Sequence, residues 1–252
     1  MVPGVKRPRT GYYSAVTDFV KAVVVVPAHN EVDDLPRCLR ALATAAVCMP
    51  VPVLVVVVLD ACVDASERLA GQFGPNIEFV SVQAGNVGAA RAAGFRHSRS
   101  LCSDVDLGRV WYGTTDADSV VPADWLVTMT ATDQDMVLGV VRLPVWRHFT
   151  AEAVRRYLRG FHSNGRGHDH VHGANMGFRA DAYWHVGGFR ALATGEDREL
   201  VERFEAAGMR IRRDTRLSVT TSDRRDGRAP GGFAADLRGI AGGARRRSGE
   251  RL

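Results

Sequence analysis

No stretch of this sequence is long and apolar enough to cross a bilayer. The longest apolar runs, "AVVVVPA" and "VPVLVVVVL", fall far short of the ~20 residues a spanning helix needs. The amino-terminal residues lack the charged-then-apolar layout of a secretion signal, so a soluble cytoplasmic protein is the expectation. Cysteine is scarce: Cys38, Cys48, Cys62 and Cys102 form no CxxC pair and follow no regular spacing. That excludes a disulfide framework or zinc ribbon and reads as small apolar residues in a reducing compartment. No GxGxxG follows the first apolar strand and no GxxxxGK[ST] occurs, which disfavours dinucleotide and P-loop sites.

The formal charge of +5 is concentrated at the two ends. Lys6, Arg7 and Arg9 contribute +3, and the last eight residues contribute a further +3, which leaves the body at −1. The body therefore carries no basic stripe for a nucleic acid, and no such partner is expected. Residues 1–19 are expected to form a partly flexible segment and residues 241–252 a basic flexible tail.

What is present is an alternation of strand and helix. "AVVVV" at 22–26 and "VLVVVVL" at 53–59 are unbroken apolar runs, the pattern of strands buried on both faces of a parallel sheet. "IEFVSV" at 77–82 and the run ending at Thr115 supply two more strands. Between them, Leu35, Leu39 and Leu42 recur at helical spacing behind Pro36. "DASERLAGQF" predicts a helix capped by Asp64, "GAARAAGFRHSR" another, and Pro122 opens a fourth in "PADWLVTMTA". Further on, helices are expected around 151–160 and from about Glu196 to Ala207. With short connections and no linker-like composition, this is α/β: one domain over 20–240 with an open, mostly parallel sheet and helices on both faces.

In such sheets ligands bind outside the carboxyl ends of the strands, and there the polar residues gather. Strand one runs into Pro27, Ala28, His29, Asn30 and Glu31. Strand two ends at Asp60, and strand three leads to Asn86, Gly88 and Arg91. Strand four delivers Asp116 and Asp118, two carboxylates one residue apart. The pair reads either as a solvated turn or as a site for a divalent cation, because Mg²⁺ and Mn²⁺ favour carboxylates together with phosphate oxygens.

In order, "VVVPAHNE", "LDACVDAS", "NVGAARAAG", "TDAD", "HGANMGFRADAYWHVGGF" and "GEDREL" resemble the family 2 glycosyltransferases of the GT-A fold. The resemblance covers roughly residues 20–225. It implies a nucleotide-binding half at 20–142 and an acceptor and catalytic half at 143–240. It assigns Pro27, Ala28, Asn30 and Glu31 to the base and ribose of a nucleoside-diphosphate sugar, Asp60 to a base N–H, and Arg91 to a position facing the nucleotide. "TDAD" resembles the DxD motif, with Asp116 toward the ribose and Asp118 on Mn²⁺ or Mg²⁺. "GEDREL" resembles the motif whose Asp is the catalytic base, here Asp197; the competing reading is that Glu196 and Asp197 are acidic residues suited to a helix start. The resemblance also implies an inverting transfer of one sugar to an acceptor hydroxyl.

Several positions depart from the pattern. Leu59 and Ala61 stand where many relatives have Asp and Gly. No histidine follows His185, so the downstream His that completes the metal shell in some relatives is missing. The QxxRW motif of processive relatives is absent, which favours single-sugar transfer. His168, His170 and His172 alternate and would share one face of a strand, but without a fourth ligand they read as site lining or surface rather than zinc. Arg224 or Arg225 could lie over a diphosphate or simply face solvent. A non-catalytic nucleotide-sugar binder on the same fold, or a retaining transferase acting on a small acid, are the alternative functions.

Overall fold

The computed structural model describes residues 18–143, 150–152, 154–155, 168–192 and 194–222. Residues 1–17, the basic tail, most of the helix around 151–160, and Arg224 and Arg225 lie outside the described residues, whereas Phe19, expected in the amino-terminal flexible segment, is buried in the core. Seven strands form one sheet: β1 (Lys21–Ala28), β2 (Val53–Asp60), β3 (Ile77–Val82), β4 (Val110–Thr114), β5 (Met136–Arg142), β6 (Met176–Arg179) and β7 (Ile211–Thr220), in the order β3-β2-β1-β4-β6-β5-β7. Among the described residues the helices packed on this sheet include α1 (Leu35–Val47), α2 (Val87–Leu101), α3 (Trp125–Thr130), α4 (Ala180–His185) and α5 (Glu196–Ala206).

β1 is buried on both faces because its side chains alternate between two cores. Val24 and Val26 point to the side of α1 and α3, where they meet Leu35, Leu39, Trp125 and Met129. Val23 and Val25 point to the other side, where Ala90 and Phe95 of α2, Tyr183 of α4 and Phe204 of α5 pack. A strand apolar at every position is what this two-sided burial demands. Gly94 lets α2 lie close to the sheet: a Cβ there would stand 2.5 Å from Val25 and 2.8 Å from Val58.

β1 to β4 are parallel, as expected. β6, from the back half of the chain, then inserts antiparallel between β4 and β5, and β7 pairs parallel with β5. The two halves are thus woven into one sheet. Asn175, just before β6, is fully buried and secures the weave. Its Nδ2 donates to the carbonyls of Val140 (2.9 Å) and Leu217 (3.0 Å), and its Oδ1 accepts from Trp125 Nε1 (2.9 Å).

Two expected helices differ. "DASERLAGQF" forms only a short 3₁₀ turn, Ala65–Leu69, whose single buried residue is Ser66; without an apolar stripe to bury, a longer helix gains little. Asp64 does cap it, accepting from the Ser66 amide at 3.0 Å. The helix expected to open at Pro122 begins at Trp125, after a turn in which the Trp125 amide donates to the Pro122 carbonyl. Among the described residues, no helix is long and apolar enough to cross a membrane.

Candidate functional site

β1, β2 and β4 are parallel neighbours, so their carboxyl ends lie on one side of the sheet, and the turns that follow β1 and β2 are tied by polar side chains. Pro27 and Ala28 end β1 in register with Val58 and Leu59 of β2. Asn30 then takes a left-handed φ of 55°. Its Oδ1 accepts from the amides of Val63 (2.7 Å) and Asp64 (3.2 Å) and so ties the turn after β1 to the turn after β2. Cys62 reinforces this, its thiol donating to the Ala28 carbonyl (3.4 Å) and its sulfur accepting from the Asn30 amide (3.3 Å). His29 Nδ1 lies 2.6 Å from the Asp60 carbonyl. A carbonyl only accepts, so Nδ1 carries the proton, and Nε2 can then accept from Asn30 Nδ2 at 3.2 Å. Glu31 is buried, and its carbonyl accepts the first amide of α1, that of Leu35, at 2.9 Å.

Asp60 is buried and faces the loop between β3 and α2. Oδ1 accepts from the amides of Ala84 (2.7 Å) and Gly85 (2.9 Å), and Oδ2 from that of Asn86 (2.9 Å). Asn86 in turn caps α2 through the Ala89 amide (3.0 Å), and its Nδ2 reaches the Leu192 carbonyl (2.6 Å). Asp60 thus holds the loop that starts α2, a duty its place in the sequence did not announce. An ionised carboxylate has about four acceptor sites, so roughly one stays open beside these three bonds.

Arg91, one turn into α2, is 2% exposed and lies at the centre of the acidic residues. Its Nη2 donates to Asp116 Oδ1 at 2.6 Å, and its Nη1 to Glu196 Oε1. Its guanidinium also packs over the Phe189 ring, 5.6 Å from the centroid. Asp116, Glu196 and Asp197 all raise the Arg91 pKa against its burial. Desolvation pushes the Asp116 carboxyl up to about 6, with Arg91 opposing and with Asp118 and Glu196 adding to the rise. Its side chain keeps 41% exposure, so water tempers that shift. Three carboxylates, those of Asp116, Glu196 and Asp197, thus act on one guanidinium.

Asp118 lies beyond Asp116, and its Oδ1 accepts from Thr221 Oγ1 at 3.1 Å. Among the described residues, no three His, Cys, Asp or Glu side chains converge as a ready-made metal cage. A carboxylate beside a hydroxyl nevertheless suits Mg²⁺ or Mn²⁺, which take much of their shell from water and phosphate oxygens.

On the other side of Arg91, Asp197 occupies the first turn of α5, and its Oδ2 accepts from the Gly173 amide at 2.9 Å. Gly173 presses on the guanidinium: a Cβ there would stand 2.5–2.7 Å from its atoms. Gly88 opens α2 in the same way, since a Cβ would be 2.2 Å from the Arg190 carbonyl. The structure therefore brings Arg91, Asp116 and Asp197 together, with Asp118 acting on Asp116, while Asp60 and Asn30 tie the turns after β2 and β1 and Glu31 starts α1. Sequence reasoning noted Glu196 only as a helix start and missed Gly173 and Thr221. Their partners are far along the chain, and the adjacent carboxylates of "GEDREL" were the one local signal for Glu196. His168, His170 and His172 lie in no strand, but their rings follow one another with centroids 6.2 and 5.6 Å apart, and His168 is fully buried.

Comparison with solved structures gives a consistent picture of the fold. Residues 1–349 of S. aureus TarS superpose with a TM-score of 0.60 at 15% identity, covering 80% of this chain and 60% of that one. The same fragment in complex with UDP-GlcNAc gives 0.61 at 14% identity, covering 86% and 64%. The mannosyltransferase PcManGT from Pyrobaculum calidifontis, in complex with GDP-Man and Mn²⁺, gives 0.59 at 17% identity, covering 87% and 68%. The chain thus spans about three-fifths of the length of the TarS fragment. A comparison with curated proteins returned no match. The family model described as glycosyl transferase family 2 matches residues 23–187, well over half of the sequence, and on that match the chain belongs to glycosyl transferase family 2.

Proposed function

We propose that the protein transfers one sugar from a nucleoside-diphosphate sugar to an acceptor hydroxyl, with a divalent cation at Asp118 and Asp197 as general base. The observation that carries this reading is the placement of Asp197. Asp197 and Asp116 both act on the buried Arg91, and Asp197 accepts from the amide of Gly173; this closeness to the acidic motif of Asp116 and Asp118 supports the reading. The family supplies glycosyl transfer, and the fold is shared with proteins solved with UDP-GlcNAc and with GDP-Man and Mn²⁺.

In this reading Pro27, Ala28, Asn30 and Glu31 meet the base and ribose, and the open acceptor site of Asp60 takes a base N–H. Asp116 faces the ribose. When bound, Mn²⁺ or Mg²⁺ at Asp118 stabilises the charge that develops on the departing diphosphate. Asp197 removes the proton from the acceptor hydroxyl as that oxygen attacks the anomeric carbon from the face opposite the diphosphate, which inverts the configuration. The Gly173 amide holds Oδ2 of Asp197 and so aims the carboxylate. The reading is tested by incubating UDP- and GDP-linked sugars with the protein, with Mn²⁺ or with EDTA, and following transfer to an acceptor panel and donor hydrolysis. Metal-dependent turnover is expected; metal-dependent binding without turnover on any donor would instead favour a non-catalytic binder.

A further inference from the structure

The resemblance implies that Arg91 faces the nucleotide, but its guanidinium is committed elsewhere. It is 2% exposed, its two Nη atoms are taken by Asp116 and Glu196, and Gly173 covers it. Asp116 and Glu196 belong to different functional regions. Asp116 follows β4, two residues before Asp118, whereas Glu196 is the first residue of α5, immediately before Asp197. Glu196 is itself buried, at 6% exposure. Gly195 before it has a φ of 75°, so the chain turns sharply into α5 without a side-chain cap. The start of α5 is therefore held from inside by the ion pair rather than by its own cap.

We infer that Arg91 and Glu196 are positioning residues: the Asp116–Arg91–Glu196 bridge fixes the first turn of α5 against the end of β4, and so sets where Asp197 stands relative to the donor. Two further contacts support this. The Gly173 amide that meets Asp197 belongs to the residue lying against the guanidinium, so the bridge and the Asp197 contact share one wall. Asn86, which caps the helix carrying Arg91, also reaches the Leu192 carbonyl in the segment leading to α5. The helix of Arg91 and the approach to α5 are thus joined twice. A charged pair held by two hydrogen-bonding carboxylates keeps a fixed geometry where a single long side chain would not.

The inference rests on the proposed role of Asp197, and its test separates the two. Glu196→Gln keeps the size and an acceptor oxygen but removes the charge; Arg91→Lys keeps the charge but cannot reach both carboxylates. Hydrogen exchange of the Gly173 amide, which donates to Asp197, is measured in each variant alongside kcat and the donor KM. The expected result is at least tenfold faster exchange at Gly173 in both variants while the core strands keep their protection, and in Glu196→Gln a kcat at least tenfold lower at an unchanged donor KM. Unchanged exchange at Gly173 in both folded variants would overturn the inference. So would a loss in Glu196→Gln that falls on the donor KM rather than on kcat, because the Arg91–Glu196 arm would then act on the donor. Faster exchange at Gly173 in the variants of a parent protein that itself turns over no donor would uphold the bridge and count against the role of Asp197.

Discussion

The amide of Gly173 donates to Oδ2 of Asp197 at 2.9 Å while the α-carbon of the same residue lies against the Arg91 guanidinium, where a Cβ would stand 2.5 Å from Nη2. One glycine therefore separates a buried cation from the proposed base. Gly173→Ala forces the guanidinium to move, and two carboxylates resist the movement. Overpacking of this kind costs about 1–3 kcal/mol, so the denaturant midpoint should fall accordingly and kcat should fall with it. Unchanged stability would mean that the guanidinium gives way freely.

Ala61 holds a φ of 50° at the end of β2, a left-handed conformation that L-residues other than Gly and Asn rarely take. Ala61→Gly should relieve roughly 1–2 kcal/mol of strain and return about 0.4–1 kcal/mol in unfolded-state entropy. A net stabilisation of about 1 kcal/mol in urea unfolding is expected, with no change in the rest of the site.

Asp60→Ala should do more than weaken a ligand contact. The carboxylate holds three backbone amides, and hydrogen bonds to a charged group contribute about 1.5–3 kcal/mol each without adding fully. A loss of at least about 3 kcal/mol in unfolding free energy is expected, together with weaker nucleotide binding by calorimetry. Full stability with weakened binding would assign Asp60 to the ligand alone.

His168 is fully buried, and desolvation lowers its pKa below the ordinary 6.5. The unfolded chain then binds the proton more readily than the folded one, so stability rises with pH through this window. The contribution is complete above 6.5 and is lost as pH falls from 6.5 through the folded-state value. Urea unfolding at pH 7.5 and 5.5 should show a smaller acid penalty for His168→Gln than for the parent. Parallel losses would mean that His168 titrates normally in the fold.

The parallel core of the fold was legible because β1 and β2 are buried on both faces and so read as unbroken runs of valine. β3 was legible too, with bounds that match the expectation at Ile77–Val82. The insertion of β6 between β4 and β5 was not, because strand pairing across the chain leaves no periodic trace. The site divides in the same way. Asp116, Asp118 and Asp197 stand in compact acidic motifs that any reader notices, whereas the Arg91–Glu196 pair joins residues 105 positions apart. Asp60 was legible as a strand-end carboxylate, but its three amide partners come from the next loop, and only the fold brings them there. The 3₁₀ turn after Asp64 shows the limit of capping signals: a good cap does not lengthen a helix that has no apolar face to bury.

The central claim is that Asp197 takes the acceptor proton, and kcat and donor affinity of Asp197→Asn test it most directly. Asparagine keeps an oxygen for the Gly173 amide but cannot accept a proton near neutral pH. A fall in kcat of about 10²–10⁴-fold is expected, with donor affinity by calorimetry nearly unchanged. Wild-type turnover in this variant, or donor affinity lost in step with activity, would contradict it.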